Sequence, residues 1–154
     1  MADPDLPARV ERALATFNEG DLDGHMDLFA PGGTFRDPVL DDPVSGDAHR
    51  AYLHDVYEAF PDIHQEAERA VTGDGRVAFE STFTGTHEGP IEGIPPTGAS
   101  VSVPLASVVE FTDDGITDWR DYWDQSTFRA QLGLTFPDVV ALLPRLAAAR
   151  LRGT

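Results

Sequence analysis

A chain of 154 residues and 16.7 kDa, 41% of them hydrophobic, is the size of one domain with a substantial core, which excludes two independent domains and a wholly disordered chain. Eleven Arg, no Lys and 27 acidic residues give a formal net charge of −16, which excludes nucleic acid and an anionic membrane face as partners. Eighteen Asp without Lys is the composition expected of a protein kept soluble in concentrated salt, and the lack of Cys excludes disulfides, thiolate nucleophiles and Cys-based zinc sites.

The first 26 residues carry charges every few positions and no apolar run of the kind that opens a secretory signal, so a cytoplasmic location is expected. Leu6, Val10, Leu14 and Phe17 fall at helical spacing and predict a first helix over residues 6–17, stopped by Gly20. Asp21 has the character of an N-cap for a short second helix carrying Leu22, Met26 and Phe29, ended by Pro31-Gly32-Gly33. Thr34 to Arg36 predict a short strand, and Pro38 forces Asp37 into an extended conformation. A third helix is expected from about Asp47 to Phe60, with Leu53, Val56, Tyr57 and Phe60 on one stripe.

The period then changes from helical to alternating. Segments 64–72, 76–88, 99–112 and 115–124 predict antiparallel strands, each with one buried face, and Ser107 sits within an inward-facing apolar row. Helices first and a meander afterwards indicate an α+β domain: a cone-shaped, curved antiparallel β-sheet wrapped over three N-terminal helices, enclosing a cavity suited to a small molecule. The expected division is a single domain over residues 1–133 and a C-terminal extension over 134–154, packing on the domain or on a second copy through Val139, Leu142, Leu143 and Leu146.

Asp121 lies in the densest aromatic and charged cluster, DWRDYWDQ, and alternation places Trp119, Asp121 and Trp123 on one face. A carboxyl between two indoles has its pKa raised, as a general acid or base working near neutrality requires. The plainer alternative is a structural carboxylate paired with Arg120 or accepting an indole N–H. Asp37, held before a proline at a strand end, is a second candidate, although Asp-Pro also starts turns. His87 closes the second strand on its apolar face, where a lone His is more often a hydrogen-bonded rim residue than a catalyst. No metal site is expected: His49 and His54 are wrongly spaced for one, no HExxH occurs, and Asp62 with His64 makes only two ligands.

In series, GTHEG (85–89), GIPPTG (93–98), RDYWD (120–124) and QLG (131–133), with FNEGDLDG (17–24), FRDP and AFPD upstream, resemble the SnoaL-like polyketide cyclases of the nuclear transport factor two-like superfamily. The likeness covers residues 6–133 and implies a cone-shaped, cystatin-like α+β barrel, usually a homodimer. It further implies a cofactor-free enzyme in which Asp121 is the acid/base of an intramolecular aldol condensation. The partner His of those cyclases falls at Ser107, whose hydroxyl does not hold a proton near neutral pH, so their mechanism does not transfer whole. The ketosteroid isomerase branch is similar around Arg36-Asp37-Pro38-Val39, but its two oxyanion donors fall at Ala13 and Ser107, and no match to the superfamily's epoxide hydrolases is found. The resulting expectation is a small apolar or aromatic carbonyl ligand turned over by Asp121 and contacted by Asp37, His87, Ser107, Trp119 and Trp123. A non-catalytic ligand-binding or dimerisation module of the same fold is the alternative.

Overall fold

The computed structural model of the chain describes residues 5–135 and 137–152. Helix α1 (Ala8–Glu19) turns Val10, Ala13, Leu14 and Phe17 into the core and ends at Gly20, whose φ of 71° is the left-handed cap that the glycine permits. Helix α2 (Leu22–Met26) is capped by the Asp21 carboxylate, which accepts from Gly24 N–H at 2.9 Å.

Strand β1 (Phe29–Arg36) starts five residues before the predicted Thr34, so Phe29 belongs to the sheet and not to the second helix. Pro31-Gly32-Gly33 is not a terminator here but an irregularity inside the strand, where the register against its neighbour shifts between Phe29 and Thr34. Gly33 allows that approach, because a Cβ there would lie 2.4 Å from the Ile116 carbonyl oxygen.

The two-residue strand β2 (Val44–Ser45) leads into α3 (Gly46–Ala59), followed by β3 (His64–Gly73), β4 (Arg76–Thr86), β5 (Ser100–Thr112), β6 (Gly115–Trp123) and the short helix α4 (Gln125–Gln131). One curved, unclosed six-stranded sheet results, in the order β2-β1-β6-β5-β4-β3, packed with helices as a mixed α+β domain. Five neighbouring pairs make up the sheet, and all are antiparallel except β1–β6, which is parallel and corrects the wholly antiparallel expectation. The connection from β1 to β6 runs through β2, α3 and the β3–β5 meander, long enough for the chain to return in the same direction on both.

Buried side chains fall into two groups. One contains Val10, Leu14, Phe35, Phe79, Val109 and Trp119, and the other Phe17, Leu53, Phe60, Ile63, Val103 and Leu132. Of the C-terminal extension, residues 136, 153 and 154 lie outside the described residues, and the remainder ends in helix α5 (Val139–Arg152), which runs through Pro144 and fully buries none of its side chains. Among the described residues no helix is long and apolar enough to cross a membrane.

Candidate functional site

The parallel pairing of β1 with β6 builds the site. Phe35 lies opposite Trp119 and Arg36 opposite Arg120; the next residues along the two strands are Asp37 and Asp121. On the other side of β6, Ser107 of β5 is the direct partner of Asp121. Because side chains alternate, Trp119, Asp121 and Trp123 line the interior. Arg120 and Asp118 take the other face, where the Arg120 guanidinium Nε lies 2.7 Å from Asp118 Oδ2.

The interior is a cavity of about 440 Å³ between the two halves of the core, large enough for a drug-sized molecule. Its wall is largely apolar, with Phe17, Phe60, Phe83, Phe128 and the two indoles among aliphatic side chains. Asp121 is held by Ser107 Oγ–H at 2.5 Å and Trp119 Nε1–H at 2.8 Å, both donating to Oδ1. Among the described residues no protein donor reaches its Oδ2. Asp37, only 9% exposed, accepts Trp123 Nε1–H at 3.0 Å on Oδ2 and Val39 N–H at 3.1 Å on Oδ1. The second bond is the Asx-type turn expected of an Asp before Pro, so Asp37 shapes a turn and faces the cavity at once.

Removal from water, opposed by the Ser107 donor, aided by the charge of Asp37 and opposed again by Trp119, leaves the Asp121 carboxyl pushed up to about 7. Burial also raises Asp37, against the donors Trp123, Val39 and Tyr52, with Glu92 adding to the rise. The Tyr52 hydroxyl, buried and facing both aspartates, is held well above its usual value and so keeps its proton.

Of the residues singled out in the sequence, Asp37, Trp119, Asp121 and Trp123 meet around the cavity, and Ser107 reaches it only through Asp121. His87 does not line the cavity, contrary to expectation. It is fully buried, its ring is 5.5 Å from that of Phe60, and its Nδ1 accepts Thr97 N–H at 3.2 Å. The reason is the chain path after β4: the 87–99 loop folds back on its own base, with His87 N–H to the Ala99 carbonyl and Gly98 N–H to the His87 carbonyl, both at 2.9 Å. Glu88 and Gly89 N–H also bond to the Ala59 carbonyl at the end of α3.

Six polar lining residues are not among the candidates drawn from the sequence: His25, Tyr52, Asp55, Glu58, Gln65 and Glu92. Tyr52 is three residues after His49 and four before Val56, both buried, so the stripe 49-52-56 of α3 carried its signal. Glu92 had a backbone signal instead. In Ile91-Glu92-Gly93-Ile94 the two isoleucines bond reciprocally, N–H to carbonyl at 3.0 and 2.8 Å, and Glu92 and Gly93 have φ of 47° and 76°. This is a tight turn with positive φ at both central positions, where Gly93 is at ease and Glu92 is strained. Among the described residues no group of three His, Cys, Asp or Glu side chains is arranged to hold a metal ion.

The model of the SnoaL-like polyketide cyclase family matches residues 8–132. Among solved structures, AclR of Streptomyces galilaeus, a candidate hydroxylase, is 27% identical with a TM-score of 0.73, over 83% of this chain and 95% of that one. A candidate SnoaL-like polyketide cyclase of Jannaschia sp. CCS1 is 25% identical with a TM-score of 0.68, over 83% and 96%. A protein of Catenulispora acidiphila with a ketosteroid isomerase-like fold, 21% identical with a TM-score of 0.73 over 85% and 96%, shares the fold.

Proposed function

Given that the chain belongs to the SnoaL-like polyketide cyclase family, we propose that it is an enzyme in which Asp121 moves a proton on a carbonyl-bearing small molecule held in the aromatic cavity. The observation that carries this reading is Asp121 itself, with Oδ1 fixed by Ser107 and Trp119, Oδ2 without a protein donor, and a pKa of about 7.

The ionised carboxyl takes a proton from the carbon next to the substrate carbonyl, and the electron pair of that C–H bond passes into the enolate. Return of the proton to the same carbon is exchange, and its delivery to another carbon of the enolate system is isomerisation. If the enolate carbon instead attacks a second carbonyl of the same molecule, a C–C bond forms, and the new alkoxide takes the proton from Asp121, closing an aldol-type ring. Ser107 is a positioning residue in this scheme: it holds one oxygen of Asp121 and needs no proton-storing imidazole. Burial brings the Asp121 pKa near working pH, and the charge of Asp37 adds to the rise.

The test requires no knowledge of the natural substrate. Exchange of the methyl protons of 2-acetonaphthone into D2O, followed by proton NMR, should be accelerated by the wild-type chain. The rate should rise with pH and level off above about 7, as the base form of Asp121 fills. Asp121→Asn should lose about 100-fold or more of the acceleration. A ketone that binds but exchanges equally fast with wild type and Asp121→Asn would overturn the acid/base reading and leave a ligand-binding module.

A further inference from the structure

The cavity combines aromatic walls with carboxyls and has no cation to balance them. Asp37, Glu92 and Asp121 line it, joined at the rim by Asp55 and Glu58, while no Arg lines it and the chain has no Lys. Among the described residues the one basic side chain lining it, His25, is kept neutral by burial, with a pKa below its ordinary value. The arginines beside the two aspartates in sequence are turned away: Arg36 and Arg120 both address Asp118 on the outer face of the sheet, at 3.8 and 2.7 Å. Every hydrogen bond to Asp37 comes from a neutral donor, although a buried carboxylate is ordinarily paired with a cation.

Glu92 stands at the mouth, close enough to Asp37 to raise its pKa, on a backbone conformation that a side chain rarely adopts. Strain of this kind persists where position matters. Trp123 and Tyr52 flank the same carboxyl, and aromatic rings beside carboxylates form the surroundings that attract an ammonium group.

We infer that the molecule taken by this cavity bears a protonated amine on its aromatic or apolar body, received at the mouth by Asp37 and Glu92 beside Trp123 and Tyr52. The inference rests on the reading of the cavity as a substrate site. It leaves Asp121, deeper along β6, free for the proton transfer. An ammonium at Asp37 lowers the energy of both aspartates when ionised, whereas an anionic ligand meets uncompensated like charge.

The test is isothermal titration calorimetry on the full chain with three probes of one shape: 2-naphthylmethylamine, 2-naphthylmethanol and 2-naphthoate, at pH 7.5 in dilute buffer and in 0.5 M KCl. The amine is expected to bind at least tenfold more tightly than the alcohol in both buffers, and the carboxylate most weakly. Asp37→Asn and Glu92→Gln should each reduce the amine's affinity three- to tenfold and leave the alcohol's unchanged, the latter showing that the variants remain folded. Glu92→Lys, at an exposed turn, should narrow the gap between amine and carboxylate further. Equal binding of amine and alcohol overturns the ammonium assignment while the cavity reading stands. So does a preference that disappears in KCl, which would trace it to the chain's overall charge, or one untouched by both neutralising variants. If none of the probes binds, both readings fall.

Discussion

Trp123 on β6 donates its indole N–H to Asp37 at the end of β1, 3.0 Å away, while Trp119, four residues earlier on the same strand, donates to Asp121. Each carboxyl of the pair is thus held by an indole from one strand, and the parallel β1–β6 register is what brings Asp37 within reach. The donors favour the ionised forms that burial disfavours.

Replacing Trp123 by Phe keeps the ring packing with Phe128, 5.5 Å away, and removes only the donor. Asp37 then rises further above its ordinary value, because the bond that favoured its ionised form is gone. The variant should lose about 1–3 kcal/mol at pH 8 and progressively less towards pH 4, as Asp37 takes up a proton in both proteins. Urea denaturation at the two pH values measures the difference.

Asp121→Asn should stabilise the fold on the alkaline side. The wild-type carboxyl is raised from 3.8 to about 7, so the folded chain binds more protons than the unfolded one between those values, and stability falls as pH rises through that window. The loss is at most about 1.4 kcal/mol per pH unit. The Asn carbonyl still accepts from Ser107 and Trp119. The variant should therefore melt above wild type at pH 8, and the difference should shrink towards pH 4.

His49 gives the opposite sign. Its ring is fully buried, stacked on Phe35 at 4.7 Å, and neither nitrogen has a hydrogen-bond partner among the described residues. Burial, with His25 nearby, lowers its pKa from 6.5 to about 3, so wild-type stability is lost as pH falls through that range. His49→Phe should raise stability by about 1–3 kcal/mol at pH 7 by removing the unsatisfied nitrogens. The advantage should grow as pH is lowered from 6.5, in thermal melts recorded stepwise between pH 7 and 4.5.

Gly89→Ala tests the attachment of the mouth loop. A Cβ there would lie 2.1 Å from the Glu58 carbonyl oxygen, a backbone atom that cannot move without moving the end of α3. The substitution should cost more than about 2 kcal/mol in urea denaturation, whereas Gly93→Asn in the same loop, at a left-handed position with open space around it, should be close to neutral.

Much of the site was legible because strand alternation is a strict code. Knowing that β6 is a strand places Trp119, Asp121 and Trp123 together, and Ser107 follows from the apolar row of β5. What escaped depends on contacts distant in sequence. The β1–β6 pairing joins residues about 84 apart and passes through Pro31-Gly32-Gly33, which on local chemistry ends an element and here bends one. His87 lies on the predicted face, but the fold of the next twelve residues, fixed by bonds to Ala59 and Ala99, decides that it is sealed from the cavity. Tyr52 was missed by starting the α3 stripe at Leu53, although the helix buries a band wide enough to include both.

The bonds that close the 87–99 loop at its base leave residues 90–96 held at both ends, with Ile91 packed on the core between them. Such a segment is an interchangeable part. Exchanging it for a turn of equal length would swap the groups that greet an incoming molecule, Pro90, Ile91 and Glu92, and remove the charge that helps to raise Asp37, while the strands that carry the carboxyl pair stay in place. In this architecture the loop supplies part of what meets an incoming molecule, and through Glu92 it also acts on Asp37, so a change of selectivity made there is felt by the carboxyl pair.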